Sequence, residues 1–478
     1  MQNRSDLAFL FKPRSIAIVG VSTDEDSWTM GQNFFKILLD FGFTDNIYPV
    51  NPKGGEILGR KVYPSIKDIP GFVDYVICCI PAEFTPQLVN NCLEKGVKAL
   101  QLYTAGFSEY GSESGKQLEE EICALAKKGN LRLLGPNCAG IYCPGNTLAP
   151  GMNFPKEEGH VSLLCQSGGN TFHVIRAGAQ RGLRFNKAIS YGNACDINES
   201  DLLEYFTNDP ETKLILSYIE GVKDGKRFFK VLKNACSKKP VIILKGGRSD
   251  AGNRTTAGHT GSMATSNIIW DKLCYQAGAI TVSNIEELVD MAVTFSFLPR
   301  PKGKRVGIIG MGGGSSVLAG DDCEASGLVV PAFSREYKEK IGGLLINTLG
   351  TILPNPLDLS VPAFAKGALY SVFKEVGSYD GVDLLLIHAP LAITPLPSSS
   401  AERSLRLSFV NEGIKVNNEI AKPIAVVIHG GTNLEDLEMT LDFQEKLYKG
   451  GIATYNTISN AAKAINRYID YNESLARR

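Results

Sequence analysis

The sequence carries no excess of either charge: Lys+Arg and Asp+Glu balance at 50 each. No net field therefore draws the chain to nucleic acid or to an acidic membrane, although backbone amides and a few basic residues can still build a local anion site. No apolar run approaches the roughly 18 residues of a membrane span. The stretch Met1-Gln-Asn-Arg-Ser-Asp6 lacks the apolar core of a signal peptide. There is no C-x-x-C pair; Cys78 and Cys79 are adjacent, and the 11 cysteines form an odd set, with Cys78, Cys79 and Cys165 inside apolar strands. Such thiols read as free and buried in a reducing cytoplasm, which argues against a disulfide framework and against a zinc or iron–sulfur centre. Low-complexity segments and short solenoid repeats are missing too.

What remains is an ordinary globular composition, 44% hydrophobic and 21% charged over 478 residues. That length suits two to four domains, each with its own core. Short apolar strands alternate with helical stretches and end in Gly, Pro, Ser or Asn. Strands at 15–20, 47–50, 73–80, 99–103 and 131–134 run into Gly20-Val21-Ser22-Thr23, Asn51-Pro52-Lys53, Pro81, Thr104-Ala105-Gly106 and Gly135-Pro136-Asn137. This pattern predicts parallel, doubly wound α/β sheets with ligands at the carboxyl ends of the strands. A Pro/Gly-rich stretch from Cys143 to Gly151 and a second at Leu298-Pro-Arg-Pro-Lys-Gly303 read as boundaries. Three consecutive α/β domains are expected, at 1–145, 150–298 and 303–478.

The turn Gly20-Val21-Ser22-Thr23 lacks the full G-x-G-x-x-G, and the second strand ends in Asn51-Pro52-Lys53 where a ribose-binding acid would stand. A lysine there favours a phosphorylated ligand, which speaks against NAD and permits coenzyme A; a generic strand–helix turn fits the same residues. Gln166-Ser-Gly-Gly-Asn170 fails the G-x-S-x-G elbow, because residue 165 is Cys and residue 169 is the second Gly. Ser167, Gly168 and Gly169 at a helix start suit a phosphate or acyl-phosphate cradle, with plain packing as the alternative. His259 sits among Ala257, Gly258, Thr260, Gly261 and Ser262, with no bulky neighbour. Small residues suit a mobile loop, yet this peptide alone fits a working histidine and a satisfied loop histidine equally. Glu220, ending the strand at 214–219, can hold one ring nitrogen and leave the other to attack; a solvated strand-end glutamate is the other reading. Met311-Gly-Gly-Gly-Ser-Ser316 is a further anion-type or close-packing turn, while His160, His173, His388 and His429 show no local partner pattern.

Together these stretches resemble the NDP-forming acyl-CoA synthetases of the succinyl-CoA synthetase superfamily. The pattern is closest to the alpha subunit of the ADP-forming acetyl-CoA synthetases. The resemblance rests on His259-Thr-Gly-Ser262, on Tyr191-Gly-Asn193-Ala-Cys-Asp196-Ile-Asn-Glu-Ser-Asp201, on Tyr218-Ile-Glu220-Gly221, on Gly135-Pro-Asn137-Cys-Ala-Gly140 and on Asn355-Pro-Leu-Asp358. It implies a Rossmann-like CoA-binding domain followed by two flavodoxin-like, doubly wound domains. It also implies acid–thiol ligation through an acyl phosphate and a phosphohistidine, with His259 phosphorylated and Glu220 orienting it. Ser167, Gly168, Gly169, Gly192, Asn193, Gly258, Thr260 and Gly261 are then the expected phosphate and acyl contacts. Gly20, Ser22, Thr23, Asn51, Lys53, Ile80, Pro81, Thr104, Gly106 and Asn137 are the expected coenzyme A contacts, and no metal ligands are expected.

Two departures stand out. The family loop usually reads Ser-His-Thr-Gly, whereas Gly258 stands here in place of the serine. No ATP-grasp domain follows residue 478, so ATP or ADP with Mg²⁺ is expected on a separate ATP-grasp beta subunit, in a cytoplasmic hetero-oligomer. A non-catalytic subunit that binds CoA or acyl-CoA, and a CoA transferase or lyase using the same pocket, are the competing expectations. The presence of both His259 and Glu220 favours catalysis.

Overall fold

The computed structural model describes residues 7–24, 28–260, 267–345, 351, 353–360, 367–390, 400–430 and 433–477, with backbone only for 257–260, 389–390 and 400–406. These residues form two compact units, one from residues 1–179 and 184–288 and the other from 180–183 and 289–478.

The first unit holds two sheets. One is built from β1 (Ile16–Val19), β2 (Ile47–Val50), β5 (Tyr75–Cys78), β6 (Ala99–Leu102) and β7 (Arg132–Leu134), in the order β2-β1-β5-β6-β7, with a small antiparallel ribbon, β3 (Glu56–Ile57) and β4 (Arg60–Lys61), after β2. All pairings in this sheet are parallel. Its strands are buried almost without interruption, as helices on both faces require. The other sheet takes β8 (Gly140–Tyr142), β9 (Val161–Cys165), β10 (Phe185–Ser190), β11 (Leu214–Ile219), β12 (Val241–Lys245) and β13 (Ile280–Val282), in the order β13-β12-β11-β9-β10-β8. Only β8 runs antiparallel; it lies within the stretch expected to belong to the first domain, yet it pairs with β10. The second unit has one parallel sheet of β14 (Val306–Gly310), β15 (Leu357–Asp358), β16 (Leu384–Pro390), β17 (Ile424–His429) and β18 (Ala453–Tyr455), ordered β15-β14-β16-β17-β18.

Leaving β8 aside, each sheet starts beside its second strand and then winds the other way. This doubly wound order places a topological switch point beside β1, β9 and β14. Local chemistry fixes where helices start and stop. In the helix Met30–Phe41, the Thr29 side chain accepts the N–H of Gln32, and Gly42 closes the helix at a φ of 113°. Phe34, Phe35 and Leu38 recur at helical spacing and are buried in the core beside the first sheet, while Phe41 meets the Tyr142 ring edge to face at 6.1 Å. A Cβ on Gly31 would lie 2.4 Å from the Gly20 carbonyl oxygen, so this helix start touches the β1 turn backbone to backbone.

The two sheets of the first unit are joined by a backbone seam. Asn193 N–H donates to the Pro136 carbonyl at 3.0 Å, Cys195 N–H to Gly135 at 3.0 Å, and Ile197 N–H to Leu133 at 3.2 Å. Asp196 adds a carboxylate that accepts from Leu133 N–H at 2.9 Å and pairs with Arg132 at 2.8 Å. Gly192 has a φ of +54°, and a Cβ there would lie 2.1 Å from the Pro136 oxygen, so only glycine fits.

The stretch around His259 differs from the expected loop. Asp250–Thr260 is an α-helix, started by Ser249, whose Oγ accepts the Gly252 N–H at 3.0 Å. Residues 261–266, Gly261 included, lie outside the described residues, and the next helix is Asn267–Ala277. Arg248 grips Asp271 with two hydrogen bonds of 3.0 and 2.8 Å, so both ends of the intervening segment are anchored.

The helix Glu199–Asn208 begins with a reciprocal cap between Asn198 and Asp201. That start buries Glu199, which is 2% exposed. Burial, reinforced by nearby Asp201, pushes its carboxyl up to about 7. A carboxyl raised on folding contributes stability fully present below its unfolded pKa and lost as pH rises through the folded value. Unfolding temperature should therefore fall between about pH 4.5 and 8 by the equivalent of roughly 2–4 kcal/mol. Glu199→Gln should flatten that dependence, matching the parent near pH 5 and exceeding it at pH 8 in a thermal melt series; a parallel pair of curves would refute it.

Candidate active site

The carboxyl edge of the first sheet gathers most of the residues expected around coenzyme A. The turns after β1 and β2 are tied by Asn51, whose Nδ2 donates to the Val21 carbonyl at 2.9 Å while its Oδ1 accepts the Lys53 N–H at 3.0 Å. Ser22 Oγ accepts from Asp24 N–H, and Thr23 lies against Gly55, where a Cβ would be 3.2 Å from Thr23 Cγ2. At the switch point between β1 and β5, a Cβ on Gly20 would fall 2.7 Å from the Cys79 oxygen and 3.2 Å from Ile80 Cγ2. Pro81 follows and starts a short 3₁₀ turn. Thr104 Oγ1 donates to the Ile80 carbonyl at 2.7 Å, and the Asn137 N–H donates to the Thr104 carbonyl at 3.0 Å. The strand-end turns thus form one connected rim. Lys53 is exposed on it, and no acid ends β2, which fits a phosphorylated ligand lying over backbone turns.

The carboxyl edge of the second sheet carries Ser167 and Glu220. After β9, Ser167 caps the helix Gly168–Gln180: its carbonyl accepts from Thr171 N–H and Oγ1, and its Oγ accepts the Asn170 N–H at 3.4 Å. The N–H groups of Gly168 and Gly169 open this helix where no intrahelical acceptor exists, the arrangement that suits an oxyanion. Gly168 is closely approached, since a Cβ there would sit 3.1 Å from Ala139 Cβ in the loop that follows β7, whereas a Cβ on Gly169 would meet nothing within 4 Å. Cys165 is not a nucleophile here: burial pushes its thiol up to about 12.

Glu220 stands at the end of β11, 7% exposed. Its backbone N–H and that of Gly221 donate to Gln166 Oε1 at 2.8 and 3.3 Å, which locks the Glu220 turn to the Ser167 turn. Tyr218 Oη donates to Glu220 Oε1 at 3.2 Å, and burial together with that carboxylate pushes the tyrosine's pKa up. Lys245, buried at the end of β12, donates to the Glu220 carbonyl at 2.6 Å; burial lowers its pKa while the Glu220 charge resists the shift. A Cβ on Gly246 would come within 2.6 Å of Tyr218 Oη and 3.1 Å of Glu220 Cγ, so the chain entering the His259 helix passes directly over this cluster. Tyr191 Oη, fully buried beside Glu199 and Glu220, has no hydrogen-bond partner among the described residues.

Gly192 and Asn193 belong to the seam, and they bring the two edges together. The Asn193 amide nitrogen donates to Glu109 Oε2 at 2.6 Å and to Glu119 Oε2 at 2.9 Å, while its Oδ1 has no partner among the described residues. Gly258, His259 and Thr260 are placed by backbone alone, in the helix that packs against the short turn Ser108–Tyr110. Gln166 and Tyr218 lie in stretches the sequence singled out, yet neither they nor Lys245 had an expected role, because their contacts with Glu220 arise only where β9, β11 and β12 pair. The two histidines of the second unit's sheet end, His388 and His429, lie edge to face with ring centroids 6.2 Å apart. Burial pushes His388 down to about 4, so it is a neutral core histidine.

Comparison with known proteins accounts for this arrangement. Residues 14–144 match the CoA binding domain family, and residues 158–295 match the succinyl-CoA ligase like flavodoxin domain family. The chain is 35% identical over 461 residues to the alpha subunit of acetate–CoA ligase [ADP-forming] II of Pyrococcus furiosus, covering 96% of both chains. It is 39% identical over 357 residues to the acetate–CoA ligase [ADP-forming] of Methanocaldococcus jannaschii, covering 74% of this chain and 49% of that one. The acetyl-coenzyme A synthetase 1 of Ca. Korarchaeum cryptofilum, solved in complex with phosphate and ADP, superposes with a TM-score of 0.81 at 28% identity, over 99% of this chain and 98% of that one. With a CoA-type first sheet, a flavodoxin-like second sheet carrying Ser167 and Glu220, and likeness along nearly its whole length, the chain belongs to the family of ADP-forming acetate–CoA ligase alpha subunits.

Proposed function

We propose that this chain is the CoA-binding, histidine-bearing subunit of an ADP-forming acyl-CoA synthetase that interconverts acyl-CoA, ADP and phosphate with a small carboxylic acid, CoA and ATP. The observation that carries the reading is the direct tie between the Ser167 helix start and Glu220 through Gln166, inside the same compact unit as the CoA-type rim. Acetate is the first acid to test, since the relatives' names specify it.

In the ATP-forming direction, a phosphate oxygen attacks the thioester carbonyl. The C–S bond breaks, CoA leaves as thiolate, and an acyl phosphate forms. The helix start at Ser167, Gly168 and Gly169 stabilises the anionic oxygens by fixed N–H dipoles. His259 then attacks phosphorus with one ring nitrogen, the P–O bond to the acyl group breaks, and the carboxylate departs. Glu220 accepts a hydrogen bond from the ring N–H and keeps the other nitrogen free for attack. The phosphoryl group passes from His259 to ADP, giving ATP. Nucleotide and Mg²⁺ reside on a separate ATP-grasp beta subunit, a division supported by the P. furiosus relatives being alpha subunits and by the M. jannaschii ligase, of which this chain covers only 49%.

Three outcomes test this. The purified chain incubated with acetyl-CoA and radiolabelled phosphate should acquire one acid-labile, base-stable label, abolished by His259→Asn; CoA that binds tightly to a chain that never labels would favour a sensing role. Glu220→Gln should keep CoA affinity and slow labelling by at least roughly tenfold. Lys53→Gln should weaken CoA binding measured by calorimetry, with a shallower salt dependence than the parent; unchanged affinity across salt would remove Lys53 from the pocket.

A further inference from the structure

One carboxylate bridges the two functional edges. Glu109 Oε1 accepts the backbone N–H of Gly106 at 2.6 Å and of Phe107 at 3.2 Å, while Oε2 accepts from Asn193 Nδ2 at 2.6 Å. Gly106 lies in the turn that follows β6 of the first sheet, and Asn193 in the turn that follows β10 of the second. A second carboxylate backs the first: Glu119 Oε2 accepts from the same Asn193 nitrogen at 2.9 Å and from Ser108 Oγ at 2.6 Å. The helix Asp250–Thr260, which carries His259, packs on the turn Ser108–Tyr110 that contains Glu109. The CoA-side rim, the Asn193 turn and the histidine-bearing helix therefore converge on this residue.

The site demands an acceptor on both arms. Two backbone N–H groups face one oxygen and an amide N–H faces the other, so a carboxylate satisfies all three donors. Glutamine has the same shape but must turn its own NH₂ toward one set of donors, leaving an N–H against an N–H.

We propose that Glu109 is a positioning residue for acyl transfer, clamping the Gly106 turn of the CoA-side sheet to the Asn193 turn of the phosphate-side sheet and so setting the separation between thioester and phosphate. This inference rests on the function proposed above. In the bound state the clamp holds two reactants delivered by different sheets, and a displacement of about 1 Å between reacting atoms is enough to cost roughly a hundredfold in rate.

The test compares the parent full-length chain with Glu109→Gln and Glu109→Asp by three measurements: CoA affinity by calorimetry, melting temperature, and the initial rate of phosphohistidine formation from acetyl-CoA and labelled phosphate. Glu109→Gln should slow labelling by roughly tenfold to a hundredfold while CoA affinity changes less than about threefold. Glu109→Asp, which keeps two acceptors on a shorter stem, should label faster than Glu109→Gln. A packing role predicts the opposite rank, since glutamine preserves volume and aspartate does not. Parent-like labelling by Glu109→Gln, labelling by Glu109→Gln equal to or faster than by Glu109→Asp, or a loss of rate that simply follows loss of affinity and melting temperature, overturns the inference. An unlabelled parent chain takes down the proposed function and this inference with it; a labelled parent beside an equally labelled Glu109→Gln removes only the positioning role.

Discussion

The seam between Leu133–Asn137 and Asn193–Ile197 is the constraint on which the first unit depends. Three backbone hydrogen bonds and the Asp196–Arg132 pair bind the last strand of one sheet to the loop after β10 of the next. Backbone-to-backbone contact leaves no room for a side chain at Gly192, and it holds the two carboxyl edges within reach of a single side chain such as Glu109. Under the proposed function, an acyl transfer between a ligand on one sheet and a phosphate on the other needs that kind of fixed registration. Side-chain packing alone, with its freedom to hop between rotamers, would hold it less closely.

Electrostatics at the site follow from burial. Glu220 keeps company with the hydroxyl of half-buried Tyr218 and, through its carbonyl, with a buried lysine. Each of these groups has a hydrogen-bond partner, which offsets the cost of withdrawing it from water. Glu199 is the contrast. Tucked into a helix start with acid neighbours, it gives up its charge near neutral pH and makes the unit's stability depend on proton uptake. The same low-dielectric surroundings keep Cys165 protonated, so the residue before the Ser167 turn is a filler of the core and no rival nucleophile.

Much of this was legible before any coordinates. Apolar strands ending in Gly, Pro, Asn, Thr or Glu marked β1, β2, β5, β6 and β11 within a residue or two, because a strand buried on both faces has to be continuously apolar. Short strands carried less signal: β13, β15 and β18, each two or three residues long, have too few positions to show any period. The glycine- and threonine-rich stretch before His259 looked like loop from composition, yet Asp250–Thr260 is helical, with Ser249 capping its start and its backbone packed on Ser108–Tyr110. Tertiary packing outweighed weak propensity there.

What the sequence determined by itself is the inventory: three doubly wound α/β patterns, a lysine in place of a ribose-binding acid, a glycine-flanked turn at Ser167, a strand-end glutamate at 220 and a histidine at 259 among small residues. Those follow from local periodicity and residue chemistry, which are properties of short windows. Only the tertiary structure decided which of these pieces meet. Gln166 reaches Glu220 because β9 and β11 are neighbours in the sheet, and Glu109 reaches Asn193 because the seam folds one sheet edge onto another. Contacts between residues so far apart in the chain depend on strand order and on backbone approach, and neither leaves a mark on any short stretch of sequence.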